Sequence, residues 1–154
     1  MITIEPFKPE YRNAFRDLNL EWIRTYFKVE SKDVQQTDNP EQCIREGGHI
    51  LFAVRDGEVL GTCALYKIPL SSTGDLELAK MAVRPDCRGQ GIGDVLMLGA
   101  EKWARVAGAG RIMILSNTVL EPAIALYVKH GYVVTNLGPH KDYERCNIEM
   151  WKSL

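Results

Sequence analysis

With 154 residues, 45% of them hydrophobic and 25% charged, the chain has the size and apolar content of one globular domain, residues 1–154, with a core of its own. Nineteen Lys and Arg stand against 20 Asp and Glu, a formal charge of -1, so no basic field exists to hold a nucleic-acid backbone. No apolar run approaches the roughly 18 residues of a membrane span, Met1 to Pro6 lacks the basic-then-apolar order of an export signal, and the chain reads as soluble and cytoplasmic.

Residues 2–7 suit a first strand. Phe15, Leu18, Trp22 and Tyr26 then recur at intervals of three or four, which predicts an amphipathic helix over 9–27. A polar stretch, Ser31 to Asn39, leads to Pro40 in the first turn of a second helix that ends near Gly47-Gly48. His49–Arg55 and Glu58–Lys67 read as strands joined by Asp56-Gly57, a two-residue sequence suited to the positive φ angles of a tight hairpin. After a loop, Leu76–Val83 is a further strand.

A long helix from about Gly91 aligns Ile92, Val95 or Leu96, Gly99, Trp103 and Val106 on one face, and Gly108 and Gly110 close it. Ile112–Leu115 is an apolar strand, Pro122–His130 a shorter helix stopped by Gly131, and strands near Tyr132–Leu137 and Tyr143–Trp151 finish the chain. Hairpins in the first half and strand-helix-strand units in the second make a mixed α/β class, a three-layer α/β/α domain around a mixed sheet. Cys43, Cys63, Cys87 and Cys146 form no C-x-x-C pair, and His49, His130 and His140 show no ligand spacing, so reduced thiols and no metal site are expected.

The chemistry concentrates in Met81-Ala82-Val83-Arg84-Pro85-Asp86-Cys87-Arg88-Gly89-Gln90-Gly91-Ile92-Gly93, where a strand gives way to a glycine-rich turn and a helix. Glycines at 89, 91 and 93 let a ligand approach the backbone, the first-turn amides of the helix have no helical partner, and Arg88 adds a permanent cation, so a pyrophosphate is the favoured guest. No Lys-Ser or Lys-Thr follows as in a nucleotide hydrolase, and the spacing and acidic residue of a dinucleotide fold are missing.

Arg88-Gly89-Gln90-Gly91-Ile92-Gly93 resembles the Q/R-x-x-G-x-G/A signature of the GCN5-related N-acetyltransferase (GNAT) superfamily. Leu76-Glu77-Leu78, Asn117, Ala125 to Tyr132 and Tyr143 to Met150 are similar to the family pattern in order and spacing, from about residue 50 to the end. The resemblance implies a sheet of about seven strands, splayed where acetyl-coenzyme A binds. Its pantetheine arm would pair with the backbone of Met81, Ala82 and Val83 as an added strand. The pyrophosphate would sit on the amides of Arg88, Gly89, Gln90, Gly91, Ile92 and Gly93 with Asp94 at the helix start, and Asn117 would contact the cofactor, although it also reads as the cap of the next helix.

The resemblance further makes Tyr127 the general acid that protonates the departing thiolate and Glu77 the base that deprotonates the amine, directly or through water. On the residues alone, Tyr127 also reads as a core aromatic beside Ala123, and Glu77 as a surface carboxylate. The acceptor pocket would be lined by Trp22, Tyr26, Glu30 and the loop that contains Tyr143. A covalent acetyl-Cys87 is not the superfamily's usual route. The function implied is acetyl transfer to a primary amine, on a small molecule or a peptide, by direct attack in a ternary complex. A non-catalytic acyl-coenzyme A sensor is the alternative that would need neither Tyr127 nor Glu77. Many members are dimers, so a homodimer belongs to the same set of expectations.

Overall fold

The structure is a computed structural model that describes residues 1–140 and 144–154. Among the described residues, the strands β1 (Thr3–Pro6), β2 (His49–Arg55), β3 (Glu58–Lys67), β4 (Leu76–Val83), β5 (Arg111–Ser116), β6 (Val133–Leu137) and β7 (Ile148–Ser153) form one seven-stranded sheet in the order β1-β2-β3-β4-β5-β7-β6. The helices are α1 (Arg12–Tyr26), α2 (Ser31–Asp38), α3 (Pro40–Arg45), α4 (Ile92–Val106) and α5 (Glu121–Lys129). No helix among them is long and apolar enough to cross a membrane.

Two cores lie on opposite faces of the sheet. Leu96, Met97, Ala100 and Ala104 of α4 pack on Leu51, Leu65, Leu78, Ile112 and Met150, all buried. On the other face Tyr11 and Phe15 close over Ile50, Phe52, Val54 and Ala64. The hairpin turn has the predicted geometry, with Asp56 at φ 52° and Gly57 at φ 78°.

Three differences from the sequence reading have physical causes. Ser31–Asp38 is helical, because Glu30 and Asp33 cap that helix reciprocally and Asp33 and Thr37 are buried within it, which a hydropathy pattern does not reveal. The buried face of α4 keeps the predicted Ile92 and Leu96 but departs beyond them, because Met97, Ala100 and Ala104 pack on the sheet while Val106, in the last turn, is 84% exposed. The last strand begins at Ile148, since the Asn147 side chain is spent on Thr118, accepting from its amide and donating to its hydroxyl.

Two irregularities of β4 create the site. Between β4 and β5, the parallel pair, register extends only over Leu76↔Ile112 and Glu77↔Met113, so the β5-facing edge of β4 lies open from about Leu78 onward. Against β3, Thr62 pairs with Ala82 and Ala64 with Ala79, leaving Lys80 and Met81 opposite Cys63 in a β-bulge. Lys80 takes φ 55° there. The extra residue changes the strand's phase: Leu76 and Leu78, then Met81 and Val83, face the α4 core, while Lys80 turns to the helices of the opposite layer.

Candidate active site

The turn after β4 opens with a 3-10 segment, Pro85–Cys87, and Arg84 fixes it by binding Asp86 at 2.7 Å and Glu58 at 3.2 Å. Gly89 and Gly91 both sit at φ 79°, with nothing within 4 Å of where a Cβ would stand, and Gly91 is the N-cap of α4. The left-handed backbone, not crowding, is what demands glycine at these two positions. Gly93 differs: a Cβ there would meet Leu126 Cδ2 at 3.0 Å, so this glycine lets α4 approach α5.

Arg88 lies beside the turn, where it donates to the Val83 carbonyl at 3.3 Å and to Glu21 of α1 at 3.4 Å. Asp94 lines the cleft but is clasped to the end of α5, 2.9 Å from Lys129 and 2.7 Å from His130. Those two partners, Lys129 foremost, hold its carboxyl below the usual range.

One cavity of about 660 Å³ joins this turn to the opening in the sheet. Its lining includes Met81, Ala82, Val83, Arg88, Gly89, Gly91, Ile92, Gly93, Asp94, Asn117 and Tyr127, and with them Glu77, Trp22 and Tyr26. The structure thus brings most of the sequence-predicted residues into one space. Gln90 and Glu30 are not in its lining: the Gln90 side chain turns back to the Asp86 carbonyl at 3.5 Å, and Glu30 is engaged by Arg145 at 3.1 Å. Tyr143 lies outside the described residues. Asn117 spends its amide on the Arg145 carbonyl at 2.5 Å and its oxygen on the Val119 amide at 2.9 Å, tying β5's end to the segment before β7.

Tyr127 of α5 lines the same cavity and meets the Tyr132 ring edge-on at 6.5 Å. Burial, reinforced by nearby Cys63, pushes its phenol up to about 12. Cys87 is buried beside Asp86.

Sequence reasoning missed a buried ionic cluster in the cavity wall. Arg145 binds Asp33 through both guanidinium nitrogens, at 2.7 and 2.6 Å, and Lys80 reaches the same carboxylate at 2.8 Å. Side-chain exposures are 0% for Asp33, 3% for Lys80 and 11% for Arg145. Burial opposes ionisation of Asp33, but Arg145 and Lys80 outweigh it and hold its carboxyl at about 2. For Lys80, burial pulls the ammonium down against the attraction of Asp33 and, more weakly, of Glu77.

The sequence profile of the Acetyltransferase (GNAT) family matches residues 14–132, which contain the turn, the open strand edge and Tyr127. The chain belongs to the GNAT family. It is an acyltransferase of that family, and its fold is shared with solved members. A GNAT acetyltransferase from Staphylococcus aureus Mu50 superposes with a TM-score of 0.87 at 18% identity, over 100% of this chain and 99% of that one. A phosphinothricin acetyltransferase from Sinorhizobium meliloti, solved with acetyl-coenzyme A, gives 0.81 at 16% identity over 99% and 88%. In sequence, a Bacillus subtilis (strain 168) protein provisionally named a [ribosomal protein bS18]-alanine N-acetyltransferase is 25% identical over 92% of this GNAT chain and 95% of its own length. The amino-acid acetyltransferase of Azotobacter vinelandii is 33% identical over 76% of this chain, which spans only 26% of that relative's length.

Proposed function

We propose that the chain transfers the acetyl group of acetyl-coenzyme A to a primary amine, both substrates being held together in the one cavity. The observation that carries this reading is the continuity of that cavity, from the left-handed glycine turn, past the open edge of β4 and Tyr127, to Glu77, Trp22 and Tyr26. The residues present suit the cofactor. The β4 edge facing β5 offers strand positions over Met81–Val83 that β5 does not pair, with Arg88 on the Val83 carbonyl, to the pantetheine amides, and the first-turn amides of α4 with Arg88 alongside suit its pyrophosphate. The B. subtilis and A. vinelandii relatives support an amine acceptor, since their names specify alanine and amino acids.

Bound there, acetyl-coenzyme A supplies an acyl group on a thiolate leaving group. The chain supplies proton handling and orientation. Glu77 takes one proton from the acceptor ammonium, directly or through water, so that the nitrogen lone pair forms the C–N bond as the C–S bond breaks; the second proton that nitrogen sheds as the amide forms restores the Tyr127 phenol, directly or through water. Tyr127, protonated at neutral pH, hands its proton to the departing sulfur. Trp22 and Tyr26 enclose the carbon skeleton of the acceptor.

Incubation with acetyl-coenzyme A and a panel of amines is expected to release free thiol. Tyr127→Phe is expected to lower kcat by roughly 10² to 10⁴ while acetyl-coenzyme A affinity holds. An unchanged kcat removes Tyr127 from the mechanism, and cofactor binding without thiol release from any amine leaves only the sensor reading.

A further inference from the structure

A lysine and an arginine at the acceptor end of the cavity are expensive features. Each buried ion costs several kcal/mol of desolvation, and a buried ion pair seldom stabilises a fold more than apolar residues of the same volume would. Here three charged groups converge, Lys80 and Arg145 on Asp33 at 2.6 to 2.8 Å, with Glu30 on the far side of Arg145 at 3.1 Å. The lysine is also held at φ 55°, a left-handed backbone that a residue with a Cβ adopts only under constraint.

The arrangement is directional. Lys80 and Arg145 belong to the cavity lining, whereas the acids that balance them, Asp33 and Glu30, do not. Among the described residues Asp33 and Glu30 offset the two cations, and Glu77 of the cavity lining also acts on Lys80. A molecule in the cavity meets a lining that holds both cations, already desolvated and fixed by carboxylates outside that lining, together with Glu77. Preorganised donors of this kind bind an anion without reorganisation.

From this juxtaposition we infer that the acceptor is an amine bearing an anionic group, a carboxylate or a phosphonate, whose amine lies toward Glu77 and whose anion lies against Arg145 and Lys80. The inference rests on the transfer reading for the role of the amine, and on the cluster alone for the anion. Asp33 then acts as a positioning residue: it aims the two cations and touches no substrate. Trp22 and Tyr26 sit where the rest of the acceptor lies.

The test is calorimetry on enzyme saturated with coenzyme A, where no transfer takes place. It compares glycine, alanine and phenylalanine with their aminophosphonate analogues, their amides and the corresponding amines lacking the acid. At least one anion-bearing series binds about tenfold or more tightly than the amides and bare amines, as loss of a charged hydrogen bond implies; carboxylate against phosphonate identifies the anion. Arg145→Gln and Lys80→Gln abolish the preference and leave coenzyme A affinity unchanged. Because such variants could fail to fold, the wild-type series decides. Amides or bare amines binding as well as the acids overturn the inference, as does binding by none of the compounds. Selective binding of acids without thiol release from acetyl-coenzyme A sustains it and sinks the transfer reading instead. Release from acids and neutral amines alike, with equal kcat/KM, does the reverse.

Discussion

Glycines 91 and 93 look interchangeable in the sequence and are physically opposite. Gly91 stands at φ 79° with open space beyond its α-carbon, so an added methyl meets no atom but forces a left-handed backbone on a residue with a Cβ. That conformation costs about 1 to 2 kcal/mol. Gly93 has an ordinary helical backbone, and its added methyl meets only the movable tip of Leu126. Gly91→Ala is therefore expected to lower stability by about 1 kcal/mol or more and to weaken acetyl-coenzyme A binding, since the turn amides move. Gly93→Ala is expected to cost less and to leave affinity nearly intact. Paired urea denaturation and calorimetry check the ordering, and equal losses would mean that the left-handed backbone at Gly91 does not set its cost. The family signature accepts glycine or alanine at the second of these positions, in keeping with a steric rather than a conformational demand.

At the scale of elements, what was legible was whatever leaves a period or a punctuation mark. The strand-turn-helix of β4 and α4, the Asp56-Gly57 hairpin and α5 with Tyr127 all carry such marks. Helix α2 carries none, because its buried face is made of Asp33 and Thr37, a polar pair that hydropathy reads as surface. The bulge did leave a trace: the spacing from Leu78 to Met81 is three where strand alternation asks for two, and the lysine in the gap is the residue that changes face. The arginine partner lies 65 positions further along, and no local pattern joins the two. The cluster makes α2 a structural strut of the acceptor wall. Asp33→Asn leaves two buried cations around a neutral amide, and breaking such a pair costs about 3 to 5 kcal/mol. Urea denaturation of the variant measures it, and a loss below about 1 kcal/mol would show that the cluster does not hold α2 in place.

Taken whole, the molecule is a sheet whose two halves meet through only two parallel register pairs, and carboxylates reinforce that seam. Asp75, at the start of β4, binds Arg111 at the start of β5 at 2.8 Å, and Asp33 links α2 to both β4 and the segment before β7. Burial raises the pKa of each, but Arg111, Thr73 and Ser71 for Asp75, and Arg145 and Lys80 for Asp33, bring the net change down, to about 2 for Asp33. A carboxyl whose folded pKa lies below its unfolded value stabilises fully above the unfolded value and loses that contribution as pH falls through the folded one. Stability should hold from neutrality to about pH 4 and then fall, with Asp33 alone accounting for on the order of 2 kcal/mol by about pH 2. The gap between wild type and Asp33→Asn should shrink over the same interval, because protonated Asp33 is itself a neutral group. Urea midpoints measured from pH 6 down to pH 2 test this, and a gap that stays constant across the series would mean that the Asp33 carboxyl has the same pKa folded and unfolded, so that Arg145 and Lys80 give its ionised form no net stabilisation. That result would also remove the reason for two cations to be aimed from behind toward the acceptor, so the acid limb of folding and the choice of substrate depend on the same carboxylate.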